Sequence, residues 1–98
     1  MQIDNKHFIE FMQTMYFCGY FIKYIDKAHR DSIGKNTATI IDDDGNIKRL
    51  RYPLQKDLLR ALTDLIESQD YCQLVNPVIT TLFVRLGDAV ICIKHKNF

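Results

Sequence analysis

Most of the side chains that could do chemistry lie in one stretch, IIDDDGNIKRLR at residues 40–51. It contains three consecutive acids, Asp42, Asp43 and Asp44. Carboxylates ahead of a glycine are typical of a calcium loop, but that loop also needs an acid at the position of Ile40 and a closing glutamate at the position of Arg51. We therefore predict no metal site, and we interpret Asp44-Gly45 as the turn of a hairpin.

The register of this first hairpin depends on the length of its loop. With Asp44-Gly45 as a two-residue turn, Ile41 faces Lys48 on the opposite strand. A longer loop changes the pairing, and the sequence leaves both registers open.

The second half of the stretch is basic and could contact phosphate groups. If the two predicted hairpins are adjacent, a basic strip forms from Lys48, Arg49, Arg51 and Lys94. Tyr52 or Phe83 could supply a surface on which bases stack. The simpler interpretation is edge-strand protection, because lysine and arginine on an edge discourage pairing with other chains.

The histidines and cysteines form no recognisable catalytic set. His7 and Glu10 have the i, i+3 spacing of one helix face, but a di-metal bundle needs that pair twice and further carboxylates. Cys18 and Cys92 lie in apolar runs, where a free cysteine behaves as a small hydrophobe. We predict no catalytic residue and no cofactor, and hence a protein that is not an enzyme.

The whole chain, residues 1–98, is predicted to form a single compact domain, because its length is close to the usual size of one domain. Apolar residues make up 47% and charged residues 26%, which are ordinary values for a globular protein. The formal net charge is only +1, whereas a dedicated DNA-binding domain is usually more basic.

Cysteine use and the N-terminal sequence predict a cytoplasmic protein. The three cysteines include no CxxC pair, which favours reduced thiols over a disulfide framework. No signal-peptide pattern is visible at residues 1–10, and charged residues interrupt the apolar run at residues 8–25. We expect no association with a membrane.

The first predicted element is a helix over residues 5–29, since apolar residues recur there at helical spacing. A second stripe on the same helix, at i, i+4 and i+8, consists of Tyr16, Tyr20 and Tyr24. Such residues are most often part of a core. Tyrosines, however, combine rigid apolar area with a hydroxyl near water, which suits an interface, so we predict that this stripe contacts a partner.

The remaining elements are a helix at residues 54–68 and two hairpins. The second hairpin turns at Gly87-Asp88, and this turn pairs Phe83 with Cys92. The order α-β-β-α-β-β predicts an α+β fold with two layers, in which an antiparallel sheet of hairpins packs against two helices.

We hypothesise from these features a small non-enzymatic protein that acts by binding another protein. An inhibitor, a toxin-immunity or antitoxin-type factor, or a phage-borne host inhibitor fits the size and the missing catalytic pattern. The partner, such as a toxin or a host enzyme, would contact the tyrosine stripe, the acidic hairpin tip or both. A homodimer through the same surfaces is a second form of this hypothesis. The alternative is a nucleic-acid-binding module that uses the basic strip.

Overall fold

In a computed structural model, which describes residues 5–26, 34–69 and 76–98, the chain forms two helices and five strands. In chain order they are α1 (Asn5–Phe17), β1 (Tyr20–Asp26), β2 (Thr37–Asp42), β3 (Ile47–Arg51), α2 (Gln55–Glu67), β4 (Ile79–Leu86) and β5 (Ala89–His95). The strands make one antiparallel sheet in the order β1-β5-β4-β2-β3. Within the described residues, neither helix is long and apolar enough to cross a bilayer.

The predicted α+β class is confirmed, as are the second helix and the second hairpin. Helix α2 has its apolar stripe buried at Leu58, Leu59, Leu62 and Ile66. The turn at Gly87 pairs Phe83 with Cys92, as its two-residue length requires.

The first predicted helix is wrong over residues 18–26, because the chain turns after Phe17 and returns as strand β1, and the last predicted residues, 27–29, lie outside the described part of the chain. The helix ends in backbone hydrogen bonds from Cys18 N–H to Thr14 O (3.0 Å) and from Gly19 N–H to Tyr16 O (3.0 Å). Gly19 then adopts a φ of +88°, the left-handed conformation in which glycine commonly ends a helix. The residues after it, YFIKYID, are aromatic and β-branched, and they pair with β5 at the edge of the sheet.

Gly19 is also the point where the end of α1 meets the end of β5. A Cβ atom at Gly19 would lie 2.8 Å from Nε2 of His95, so only glycine fits beneath this ring. The Gly19 carbonyl accepts a hydrogen bond from Lys96 N–H (2.8 Å). The His95 ring is almost fully buried and packs edge-to-face with the Tyr20 ring, at 5.0 Å between centroids.

Both helices lie on the same side of the sheet and share one core with it. Helix α1 contributes Phe11 and Met15 to this core. The sheet contributes alternate residues of its strands, which include Tyr20, Ala38, Ile40, Leu82, Val84, Ile91 and Ile93. Successive side chains of a strand point to opposite faces, so the residues between these lie on the other face of the sheet.

Tyr20 holds three elements together through its hydroxyl group. The hydroxyl donates a hydrogen bond to the Ile79 carbonyl at the start of β4 and accepts one from Nε2 of Gln69 (3.1 Å). Gln69 follows α2, and its Oε1 accepts a hydrogen bond from Ile79 N–H (2.9 Å). The tyrosine is therefore an internal strut between β1, β4 and the end of α2.

We predict that Tyr20→Phe lowers the free energy of unfolding by about 1–3 kcal/mol, because the Ile79 carbonyl and the Gln69 amide lose their buried partner. Urea denaturation followed by circular dichroism measures this change. Tyr16→Phe removes the same atom from a ring that is 50% exposed, and it should change stability by less than about 0.5 kcal/mol. An equal decrease in the free energy of unfolding of the two variants would contradict a structural role of the Tyr20 hydroxyl.

The buried His95 makes stability depend on pH. Burial lowers the pKa of His95 below its ordinary value of 6.5, and the charge of Lys96 lowers it further, outweighing the Cys18 carbonyl that favours the protonated ring. Below pH 6.5 the unfolded chain therefore binds a proton that the folded chain does not, and the stability contributed above this pH is progressively lost. We expect the urea midpoint to fall between about pH 7 and pH 5.5, and His95→Gln to reduce that fall.

Candidate functional site

One face of the sheet carries no helix among the described residues, and we call it the helix-free face. Its described side chains form three rows across the strands, set by the pairing of each strand with its neighbours. The first row is Phe21, Lys94, Thr81, Ile41 and Ile47; the second is Cys92, Phe83, Thr39 and Arg49; the third is Val90, Arg85, Thr37 and Arg51. With strands about 4.8 Å apart, a row spans roughly 19 Å from β1 to β3.

The helix-free face is apolar and partly open to solvent. Phe21 and Ile47, at the two ends of the first row, are 47% and 59% exposed, and Phe83 near the centre is partly exposed. An antiparallel sheet usually has polar side chains on the face that no helix covers, so large apolar side chains on this face, which no described helix covers, are a departure from the usual pattern. Val90, Cys92 and Thr81 are nearly buried, so the accessible area is concentrated along the first row and the β3 edge.

Positive charge is concentrated on the same face. The bases in its rows are Arg49, Arg51, Arg85 and Lys94, and none of its described side chains is acidic. Lys23 lies at the β-bulge of β1 and is exposed. Arg85 is buried and donates a hydrogen bond from Nε to the Gly87 carbonyl (2.6 Å). The accessible bases therefore lie on the edge strands β3 and β1 and on β5, which is next to β1.

Cys92, near the centre of this face, has a thiol of raised pKa. Burial raises the pKa of its thiol above the ordinary value of 9.0, and the positive charges of Lys94 and Lys23 oppose that rise without cancelling it. The thiol is therefore protonated at neutral pH, and a protonated thiol is a poor nucleophile. Cys18 and Cys92 are both buried and form no disulfide with a described residue, while Cys72 lies outside the described residues.

The predicted tyrosine stripe does not exist as a helical surface, because the helix ends between its members. Tyr16 is on α1 and half-exposed, whereas Tyr20 is in β1 and completely buried. Tyr20 is therefore excluded as a direct contact with a partner. The backbone of Tyr24 belongs to β1 and pairs with Cys92, and its side chain lies outside the described part of the structure. The Tyr16 ring packs edge-to-face on Phe21, at 5.9 Å between centroids.

The acidic tip is a hairpin loop that is one residue longer than the two-residue turn. Asp42 N–H donates to the Asn46 carbonyl (3.1 Å), Gly45 N–H donates to the Asp42 carbonyl (3.1 Å), and Gly45 has a φ of +83°. This three-residue loop pairs Ile41 with Ile47 instead of Lys48. The alternative register is thus the one that forms, and Lys48 moves to the opposite face from Arg49.

The Asp42 side chain accepts hydrogen bonds that stabilise the loop. Its Oδ1 accepts hydrogen bonds from Asp44 N–H (2.9 Å) and Asn46 N–H (2.8 Å), and its Oδ2 accepts one from Nδ2 of Asn46 (3.1 Å). Partial burial raises the pKa of Asp42, but these hydrogen bonds to its charged form outweigh it and bring the pKa below 3.8. The carboxylates of Asp42, Asp43 and Asp44 lie within 4.8 Å of one another. Both carboxylate oxygens of Asp42, however, already accept hydrogen bonds within the loop.

The predicted basic strip is only partly assembled. The two hairpins are adjacent through β2 and β4, but β3 and β5 are separated by those two strands. Arg49, Arg51 and Lys94 share the helix-free face at a distance of about 14 Å across three strand spacings. Lys48 is opposite Ile40 and lies on the helix side.

The sequence-based interpretation missed Phe21 and Lys23 as surface residues. A period of two is present in YFIKYID, where buried Tyr20 and half-buried Ile22 alternate with exposed Phe21 and Lys23. This signal was available, but the same apolar positions also fit a helix that continues from α1.

A cleft lies between the ends of the two helices. It is open to solvent and lined by Gln13, Thr14, Phe17 and Glu67. The Thr14 hydroxyl and Oε1 of Glu67 are 3.4 Å apart across it. These residues include one titratable group and no nucleophile paired with a base, so the cleft has no arrangement for acid–base or covalent chemistry.

No protein-family model, curated protein or solved structure matches this chain.

We predict that Asp42→Asn lowers the urea midpoint of unfolding, because the amide replaces one of the two acceptor oxygens that hold the loop with a donor. The loss should shrink as pH falls through the lowered pKa of Asp42, since protonation also removes the charged acceptor from the wild type. Asp44→Asn is the matched control in the same loop, and its midpoint should stay close to that of the wild type. An equal drop in both variants would mean that charge alone stabilises the tip.

Proposed function

We propose that this chain is a small non-enzymatic protein that acts by binding another protein, in the manner of an inhibitor, a toxin-immunity or antitoxin-type factor, or a phage-borne host inhibitor. The observation that carries this proposal is the helix-free face, where Phe21, Ile47 and Phe83 present apolar surface to solvent. Exposed apolar area of this kind, bordered by charge, is typical of a surface that binds a protein.

The size of the face is compatible with this role. Five strands at about 4.8 Å and roughly six residues of each at about 3.3 Å give a planar area near 480 Å². A specific interface buries about 800 Å² on each partner. The exposed Tyr16 ring, which packs on Phe21, adjoins the face and extends the apolar area toward that value.

The acidic tip supports the proposal as a second contact. Ile41 and Ile47 are the last pair of the hairpin before its loop, so the tip adjoins the first row of the helix-free face. Asp43 and Asp44 are exposed there, while Asp42 shapes the loop that presents them. Charges of opposite sign at two parts of one surface would fix the orientation of a partner and increase its rate of association.

A nucleic-acid-binding module is the second candidate, and a specific observation favours it. Arg49, Arg51 and Lys94 share the helix-free face with the partly exposed ring of Phe83, on which a base could stack. Lys48 is not part of that arrangement because it lies on the helix side.

Site-specific photo-crosslinking in the native host tests the proposal. A benzoylphenylalanine placed at Phe83 or Phe21 is close in shape to the native ring, and Lys56 on the exposed side of α2 is the matched control position. We expect one defined protein adduct from positions 83 and 21 that survives nuclease treatment, and none from position 56. Adducts with nucleic acid alone would favour the second candidate. Equal adducts from all three positions would contradict a specific face.

A further inference from the structure

Charge is distributed unequally between the two sides of this protein, although its net charge is only +1. The exposed bases Arg49, Arg51 and Lys23, together with half-exposed Lys94, lie on or beside the helix-free face. The acids on the helices are Glu10, Asp57, Asp64 and Glu67, accompanied there by Lys6, Lys56 and Arg60. The helix side is thus mixed, whereas the described side chains of the helix-free face are basic or uncharged.

We propose that the partner docks on the helix-free face with a surface that has an apolar centre and acidic residues opposite the bases of this face. This inference rests on the proposed function and names the chemistry of the partner. Phe83 and Thr39, which are paired and partly exposed, form the accessible uncharged middle of the face, and Cys92 beside Phe83 is already buried. The bases lie outside this middle, on β3 at one margin and on β5 and β1 at the other.

The position of the bases favours a protein over a nucleic acid. A single strand of nucleic acid needs a continuous basic groove along its backbone, with aromatic rings exposed between the phosphates. Here the accessible bases are separated by about 14 Å of uncharged surface, and Arg85 between them is buried against the Gly87 carbonyl. The Phe21 ring also packs on Tyr16, which leaves Phe83 as the described central ring. An uncharged centre with charges at the rim is instead the usual anatomy of a protein interface.

The same charges disfavour a second copy of this chain as the occupant. A two-fold interface places one patch against an identical patch. Two helix-free faces would bring Arg49 and Arg51 of one copy toward bases of the other, and like charges across an interface are repulsive. A partner with acidic residues at matching positions removes this repulsion and gains attraction at both margins.

Binding of simple charged probes tests this inference. The full chain is titrated at low salt into three labelled probes: a glutamate-rich peptide with interspersed leucines, a lysine-rich peptide of the same length and leucine content, and oligothymidylate of similar total charge. Fluorescence anisotropy gives the affinity of each. The double variant Arg49→Glu, Lys94→Glu reverses one base at each margin, and Lys6→Glu, Lys56→Glu makes the same change in net charge on the helices.

We expect the glutamate-rich peptide to bind the wild type and the helix variant alike, and to bind the face variant at least about fivefold more weakly. The lysine-rich peptide should not bind. Tighter binding of oligothymidylate than of the acidic peptide would overturn the inference in favour of a nucleic acid. Equal weakening in the two double variants would overturn it in favour of net charge. If the acidic peptide does not bind although crosslinking from Phe83 yields a protein adduct, the acidic partner is excluded and protein binding stands.

Discussion

The turn at Gly19 is the constraint on which the rest of this structure depends. Its positive φ ends α1, and its missing side chain leaves room for the buried His95 ring. Because the chain reverses there, residues 20–26 become a strand beside β5 instead of two more turns of helix. If the helix continued, β5 would be an edge strand with unpaired backbone hydrogen-bonding groups. Because residues 90–93 of β5 are apolar, such an edge would tend to pair with other chains.

That reversal also explains which features the sequence predicted. The second hairpin and α2 were predictable because each has one dominant local signal, a two-residue Gly-Asp turn in the first case and a clean apolar stripe in the second. Residues 5–26 offer two signals at once, since their aromatic residues satisfy helical spacing and strand alternation alike. The deciding interactions are distant in sequence: the Tyr20 hydroxyl contacts Ile79, and Gly19 contacts His95. No local pattern carries that information.

The candidate site, too, could be predicted from the sequence only in part. The exposed acids of the tip, Asp43 and Asp44, lie close to the exposed bases of β3, whereas Lys94 is three strands away. Which of the β3 bases share a face depends on the register of the hairpin. One additional residue in the loop after Asp42 places Arg49 and Arg51 on the helix-free face and Lys48 on the other. Side chains alternate between faces, so a change of one residue in pairing exchanges the two sets. The backbone hydrogen bonds of the Asp42–Asn46 loop therefore decide which charges can act together.

Both edges of the sheet have features that hinder pairing with another strand, whereas the helix-free face exposes apolar side chains. Strand β3 is short and carries Lys48, Arg49 and Arg51, while β1 is interrupted by a bulge at Ile22 and carries Lys23. Bulges and basic residues are common means of preventing a further strand from adding to a sheet. Although both edges are protected in this way, Phe21 and Ile47 are exposed on one face of the sheet. A partner on this face would be bound by side-chain packing and not by backbone pairing. Side-chain packing depends on shape and charge, so it can select one partner in a way that an open strand edge cannot.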